Sequence, residues 1–142
     1  MGRFDHHASK TKTTASDLIS QFLGVAEDPS LAKFLEYARR DDFFGKGTIS
    51  NDPIDRAFGL SALVAALNKS LVKNPERVVE IVMPFLIAHH NEEVRRTKEL
   101  PEEFQAKLSA GEAETFEVRQ RDKKLKVVVI KSESGSLAGY LR

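Results

Sequence analysis

The sequence predicts an α+β fold that is mostly helical and has a C-terminal antiparallel β-hairpin. Apolar residues recur every three or four positions until about Ala110, which is the spacing of amphipathic helices. From Glu112 the period changes to two, and two strand-like runs flank the tetrapeptide RDKK, which can form a turn. The 142 residues fit one domain and are enough to bury a core.

The first two predicted helices begin at polar capping residues. Thr14 and Asp17 have the spacing of a capping box, with Asp in place of Glu or Gln. Asp28-Pro29 is the pattern of a cap followed by a first-turn proline, and it predicts the start of the second helix. Glu36 and Arg40 can pair at i,i+4 on that helix.

The segment from Arg39 to Pro53 breaks the helical pattern with two glycines, a proline and turn-forming residues. We expect an ordered loop here, because Phe43, Phe44 and Ile49 are large apolar side chains that favour burial.

Helical spacing resumes after this segment. A regular apolar stripe predicts the next helix: Leu60, Leu63, Val64, Leu67 and Leu71. Asn74-Pro75 opens another helix, which Pro84 is expected to kink, and a short helix is predicted from Pro101.

The C-terminal region reads as a hairpin followed by a loop. The predicted strands are Glu114 to Gln120 and Leu125 to Ser132, and Glu133 to Gly139 is predicted to be a loop. Basic side chains cluster on this hairpin, and we expect a solvated tip rather than a nucleic-acid contact: Arg119, Arg121, Lys123, Lys124 and Lys126.

Composition excludes several classes of protein. No apolar run approaches the roughly 20 residues of a membrane span. The absence of cysteine excludes disulfides, thiolate zinc sites and cysteine nucleophiles, and it is compatible with a cytoplasmic location. The net charge of +1 gives no global attraction to nucleic acid. There is no P-loop, no G-x-S-x-G and no dinucleotide-binding fingerprint.

Potential metal ligands occur in two places near the N-terminus. Imidazole and carboxylate groups of Asp5-His6-His7 are good ligands for Mn, Zn or Fe, but a site needs at least one more carboxylate. Asp41-Asp42 is the best candidate, because paired acids at a helix C-terminus are otherwise unfavourable. Neutralisation by Arg39-Arg40 is the alternative explanation for this pair. His89-His90 is a weaker candidate, because His89 falls on the apolar stripe of its helix.

A tract of lysines and hydroxyls precedes the first helix. Lys10, Lys12, Thr13 and Thr14 lie where helix amides and the macrodipole favour an oxyanion such as phosphate. The alternative is an ordinary polar cap.

Together, GRFDHHASKTKTTASDLISQFLG (Gly2 to Gly24) and LEYARRDDFFGKG (Leu35 to Gly47) resemble the DHH superfamily of phosphoesterases. The order of the motifs matches as well as their content. Asp-His-His comes first, a hydroxyl-rich tract then opens a helix, and an aspartate follows later.

The resemblance implies roles for these residues. His6 would be a metal ligand, Asp5 would orient the cluster, and His7 would be the catalytic residue near the substrate phosphate. Asp41 or Asp42 would match the later metal-binding aspartate. The implied chemistry is hydrolysis of a phosphate ester or phosphodiester, assisted by divalent ions, typically Mn²⁺. The implied substrate is a phosphate-containing small molecule or an oligonucleotide.

In that superfamily the first metal-binding motifs and a parallel sheet lie upstream of Asp-His-His, where this chain has only Met1 to Phe4. We therefore expect an incomplete piece of the DHH α/β fold, truncated or degenerate, which upstream sequence or another chain would complete. Within a single domain, residues 1–48 would be the DHH-like motif region, 49–111 a helical region, and 112–142 the hairpin and tail.

The alternative function comes from a different class: a non-catalytic helical interaction or assembly domain. Apolar helix faces that no sheet covers are commonly buried by self-association, so we expect a homo-oligomer. Val127 to Ile130 can also pair edge to edge with a second copy.

Overall fold

The computed structural model describes residues 4–5, 12–45, 50–132 and 135–141. The predicted fold class is confirmed, since the described residues are mostly helical and carry one two-stranded antiparallel sheet. The elements are α1 (Ala15–Phe22), α2 (Ala32–Phe44), α3 (Pro53–Phe58), α4 (Leu60–Ser70), α5 (Pro75–Val94), a π-helical turn (Arg95–Glu99), α6 (Leu100–Ser109), β1 (Ala113–Gln120), β2 (Lys123–Ile130) and α7 (Gly135–Tyr140). They form two compact units, Met1–Asn91 and Glu92–Arg142.

Helix α1 starts at the predicted capping box. The Thr14 hydroxyl accepts a hydrogen bond from the Asp17 amide at 3.1 Å, and the Asp17 carboxylate accepts one from the Thr14 amide at 3.0 Å. Both residues are buried, so the cap satisfies amides that water cannot reach. After the helix, Gly24 adopts a φ of +71°, a left-handed conformation that glycine tolerates best.

Helix α2 begins three residues later than Asp28-Pro29 predicted. Asp28 is not its cap, because the Asp28 carboxylate instead accepts hydrogen bonds from the amide and the hydroxyl of Ser30, at 2.9 and 2.7 Å. An aspartate side chain that bonds two residues ahead favours a turn over a helix start. Asp28 therefore shapes the connection, and the helix starts at Ala32.

The loop predicted from Arg39 is wrong for its first part. Helix α2 continues through Phe44 and ends at Gly45, whose φ is +65°. Phe44 remains 68% exposed, so the predicted burial of this aromatic pair is also wrong. Ile49 lies outside the described residues. Within the same segment, Asp52 caps α3, because its carboxylate accepts from the Ile54 amide at 2.7 Å.

The later helices begin close to the predicted positions. Helix α4 starts at Leu60, α5 starts at Pro75, and α6 starts at Leu100 with Pro101 in its first turn. Pro84 lies inside α5.

The second unit contains the predicted hairpin. Gln120 pairs with Lys123, so the turn is the dipeptide Arg121-Asp122, and β2 begins two residues before its predicted start. The loop predicted after the hairpin is wrong at Gly135–Tyr140, which is α7. Burial explains the helix, because Leu137 is completely buried and anchors this turn. Leu100 and Ala113 are the other buried apolar residues described in this unit.

Candidate functional site

A cavity of about 340 Å³ lies between the start of α1 and the second half of α2. Its lining residues are Thr14, Ala15, Ser16, Tyr37, Ala38, Asp41 and Asp42. The cavity thus joins the helix start predicted to bind phosphate to the aspartate pair predicted to bind metal. These two groups are far apart in the sequence, and their shared cavity is a consequence of the fold.

The α1 side of the cavity offers helix amides. The capping box already uses the Thr14 hydroxyl and the Asp17 amide. Ala15 and Ser16 occupy the first two helical positions, where amides have no acceptor within the helix. Such amides, with the positive end of the helix dipole, favour an anionic group.

An ion pair holds α1 against α2 beside this cavity. The Arg39 guanidinium contacts the Asp17 carboxylate at 2.8 and 3.0 Å. Burial raises the pKa of Asp17, but hydrogen bonds from Arg39 and from Thr14 outweigh it and hold the pKa below its ordinary value. Asp17 therefore stays ionised, and its interpretation as a capping residue is confirmed.

The two arginines before the aspartate pair bind other carboxylates. Arg39 binds Asp17, and Arg40 contacts Glu36 at 2.8 Å, as the i,i+4 spacing predicts. Asp41 instead accepts a hydrogen bond from the Ser61 hydroxyl at 2.5 Å. This contact ties the aspartate to the first turn of α4.

Tyr37 completes a hydrogen-bonded chain behind Asp41. The Tyr37 hydroxyl lies 2.8 Å from the Ser61 hydroxyl and accepts a hydrogen bond from the Ser61 amide at 2.9 Å. Because the Ser61 hydroxyl gives its only proton to Asp41, Tyr37 must be the donor in the contact between the two hydroxyls. The chain Tyr37–Ser61–Asp41 therefore fixes the direction of one carboxylate oxygen at the cavity wall.

The remaining predicted site residues differ in their exposure to solvent. Asp5 and Thr13 are half-buried, whereas Lys12 and Asp42 are exposed. The predictions for His6, His7 and Lys10 lie outside the described residues. Within the described ranges, no three His, Asp or Glu side chains come together in a group that could hold a metal ion. Asp41 and Asp42 are consecutive residues of α2, so their side chains leave the helix about 100° apart, and Asp41 is the one that Ser61 orients.

The second histidine pair packs against an aromatic ring. The Phe34 ring lies 5.2 Å from the His89 ring and 6.1 Å from the His90 ring. His90 is the more buried of the two, although the sequence placed His89 on the apolar stripe. Its Nε2 lies 3.3 Å from the Ser30 hydroxyl, whose proton goes to Asp28. His90 therefore donates this bond, and both histidines serve packing between α2 and α5.

Sequence reasoning missed Tyr37, Ser61 and the partner of Arg39. Tyr37 stands one helical turn before Asp41, which is a local signal that it shares a face with the aspartate. No local signal identifies Ser61, because its bonds to Tyr37 and Asp41 depend on how α4 packs on α2.

No family model matches the chain, and no curated protein or solved structure is significantly similar to it. None of the helices in the described part of the chain is long and apolar enough to cross a membrane.

Proposed function

We propose that the unit Met1–Asn91 carries a metal-dependent phosphoesterase-like site of the DHH type, truncated or degenerate, in a cytoplasmic protein. One observation carries the proposal. Thr14, at the start of α1, and the carboxylates Asp41 and Asp42 line the same cavity, as a site that binds a phosphate beside a metal ion requires.

The proposed division of roles follows the chemistry of the lining. His6 and either Asp41 or Asp42 would hold the metal, Mn²⁺ or a similar divalent ion, and Asp5 would orient the cluster. When bound, that ion would activate water and neutralise charge on the phosphoryl oxygens. His7 would act on the substrate phosphate as the catalytic residue.

The chain's own groups would position the substrate. The first-turn amides of α1, the hydroxyl of Thr13 and the charges of Lys10 and Lys12 would bind phosphate oxygens. The Ser61 hydroxyl keeps the Asp41 carboxylate in one orientation, which reduces the entropy lost when an ion binds. The substrate would be a phosphate-containing small molecule or an oligonucleotide.

Calorimetric titration with MnCl₂ tests the metal site. We expect heat of binding with the unaltered protein and its loss in D41N/D42N, because amide oxygens carry no charge to hold the ion. D55N is the matched control, since Asp55 is an exposed aspartate in the first turn of α3 and bonds Ser50. No heat with the unaltered protein, or equal heat in all three proteins, would contradict the proposal.

A second candidate function is an assembly domain that self-associates. The observation that favours it is the exposure of large apolar side chains in the described part of this unit. Examples are Ile54 at 66%, Phe58 at 71%, Val72 at 76%, Val79 at 58% and Phe85 at 70%. Exposed apolar surface on this scale is typical of interaction sites.

Light scattering coupled to size exclusion tests this second candidate. We expect the mean mass to rise above 15.9 kDa as the protein concentration increases. A constant monomer mass at every concentration would contradict self-association.

A further inference from the structure

The two faces of the hairpin differ in chemistry. In the register of the ladder, Phe116 pairs with Val127 and Val118 pairs with Leu125. Directly opposed residues lie on the same face of an antiparallel pair, and side chains alternate between faces along each strand. One face, named the apolar face here, therefore carries Phe116, Val118, Leu125, Val127 and Val129.

The opposite face of the hairpin is buried within the chain at its base and charged towards its turn, so it exposes little apolar surface. At its base Ala113 is buried, and its partner Ile130 is half-buried. Towards the turn this face becomes ionic, and Lys124 contacts Glu117 at 3.5 Å. Charged side chains at the end of a hairpin need no further cover.

Most of the apolar face is exposed. Phe116 is 45% exposed, Val118 40%, Leu125 42% and Val129 56%, whereas Val127 between them is half-buried. Exposed apolar patches of this kind are typical of surfaces that bind another protein. This face therefore has the properties of a protein-binding surface.

The ends of the apolar face carry opposite charges. The row at the base pairs Glu114 with Val129, and the row beside the turn pairs Gln120 with Lys123. The face thus runs from an acidic end, through an apolar centre, to a basic end. A surface with this pattern is complementary to a second copy of itself turned end for end.

We propose that the apolar face binds the apolar face of a second copy, with the two hairpins antiparallel about a two-fold axis. This inference rests on the self-association proposed above and places the contact on the hairpin of the second unit, not on the exposed side chains of the first unit. In the antiparallel arrangement the Glu114 row of each copy lies opposite the Lys123 row of the other. The parallel arrangement would place Glu114 rows together and Lys123 rows together, which repel.

The area of the face sets the expected affinity. Strands rise about 3.4 Å per residue and lie about 4.8 Å apart, so two eight-residue strands present a face on the order of a few hundred Å². A contact of this size is smaller than the roughly 1,200 Å² of a standard specific interface. We therefore expect a weak, reversible dimer.

Sedimentation velocity on the full chain, between about 1 µM and about 1 mM, tests the surface. We expect V118T/L125T to raise the dissociation constant at least about tenfold, since it removes apolar contact area while threonine keeps the strand propensity. R119T/K124T is the matched control, because it changes the neighbouring rung on the opposite face. We expect its dissociation constant to stay within about threefold of the unaltered value, since these side chains lie outside the proposed contact.

A charge swap tests the orientation without altering the apolar centre. E114K places lysine rows opposite each other in the antiparallel dimer and should weaken it, whereas E114K/K123E should restore it. Backbone amide NMR signals of the strand residues in each variant verify that the hairpin is folded.

The outcomes distinguish the dimer through the apolar face from the more general proposal that the chain self-associates. A protein that stays monomeric at every concentration contradicts both. A dimer that V118T/L125T leaves intact overturns the apolar face as the contact, while self-association through another surface stands. A dimer that V118T/L125T dissociates but E114K does not affect contradicts the antiparallel arrangement.

Discussion

The wall of the α1–α2 cavity and the apolar face of the hairpin are built on opposite principles. Beside the cavity, Thr14 and Asp17 are buried polar side chains, and they satisfy each other through the capping box. On the hairpin, apolar side chains such as Phe116 and Leu125 are exposed. Directional bonds can complete a polar wall within one chain, whereas an apolar face is completed only by another surface. The proposals above accordingly place ligand binding in the first region and association in the second.

The largest expected effect lies in the core that supports the hairpin. L137A should lower the free energy of unfolding of this unit by about 2–5 kcal/mol, because Leu137 is fully buried and alanine leaves a cavity. Urea unfolding followed by circular dichroism measures the loss. L125A is the control on the exposed face and should cost about 1 kcal/mol or less when the protein is dilute enough to be monomeric. Equal losses would show that the face is packed within the chain.

The next effect concerns the buried capping box and ion pair of Asp17, beside the cavity. D17N should lower the free energy of unfolding by about 2 kcal/mol, since it weakens the cap and removes the charge that Arg39 binds. E80Q removes the exposed pair with Arg77 and should cost less than about 0.5 kcal/mol. A loss in D17N no greater than that in E80Q would mean that the ion pair does not hold α1 on α2.

The pH dependence of this contribution has a defined sign. The pKa of Asp17 is lower in the folded protein than its ordinary value, so the stabilisation is fully present above the unfolded pKa of about 3.9. It is lost as the pH falls through the folded pKa. The difference in unfolding free energy between the unaltered protein and D17N should therefore shrink when urea titrations move from pH 7 towards pH 3. A difference that is constant with pH would contradict the ionised pair.

The smallest effect lies in the orientation of Asp41. S61A should raise the dissociation constant for Mn²⁺ by about tenfold, because the carboxylate loses the hydroxyl that orients it. S70A, at the exposed end of the same helix, is the matched control and should bind Mn²⁺ unchanged. Isothermal titration compares the two, and equal affinities would remove Ser61 from the site.

Local chemistry in the sequence predicted most of the fold. The Thr14–Asp17 cap, the start at Pro75 and the hairpin each depend on neighbouring residues, and the structure has all of them. The errors arose where two local signals compete, or where tertiary packing determines whether a segment is helical. Asp28 bonds Ser30 instead of capping α2, and the burial of Leu137 stabilises a helix in a glycine- and serine-rich segment.

The candidate site was predictable only in part, because some of its contacts depend on how the helices pack. The sequence singled out Thr14, Asp41 and Asp42, and the fold places them around one cavity. The contacts of Ser61 with Tyr37 and of Arg39 with Asp17 join helices that the sequence does not relate to each other. Such partners depend on tertiary packing, which no local motif encodes.

The most direct test of the proposed site is paramagnetic broadening of backbone amide signals by substoichiometric Mn²⁺. We expect the signals of Ala15, Ser16, Asp41 and Asp42 to disappear first, while those of Val118 and Leu125 on the hairpin persist. Mg²⁺ at the same concentration is the diamagnetic control and should leave all intensities unchanged. Uniform attenuation across both regions, or no selective loss around the cavity, would contradict a metal site at Asp41 and Asp42.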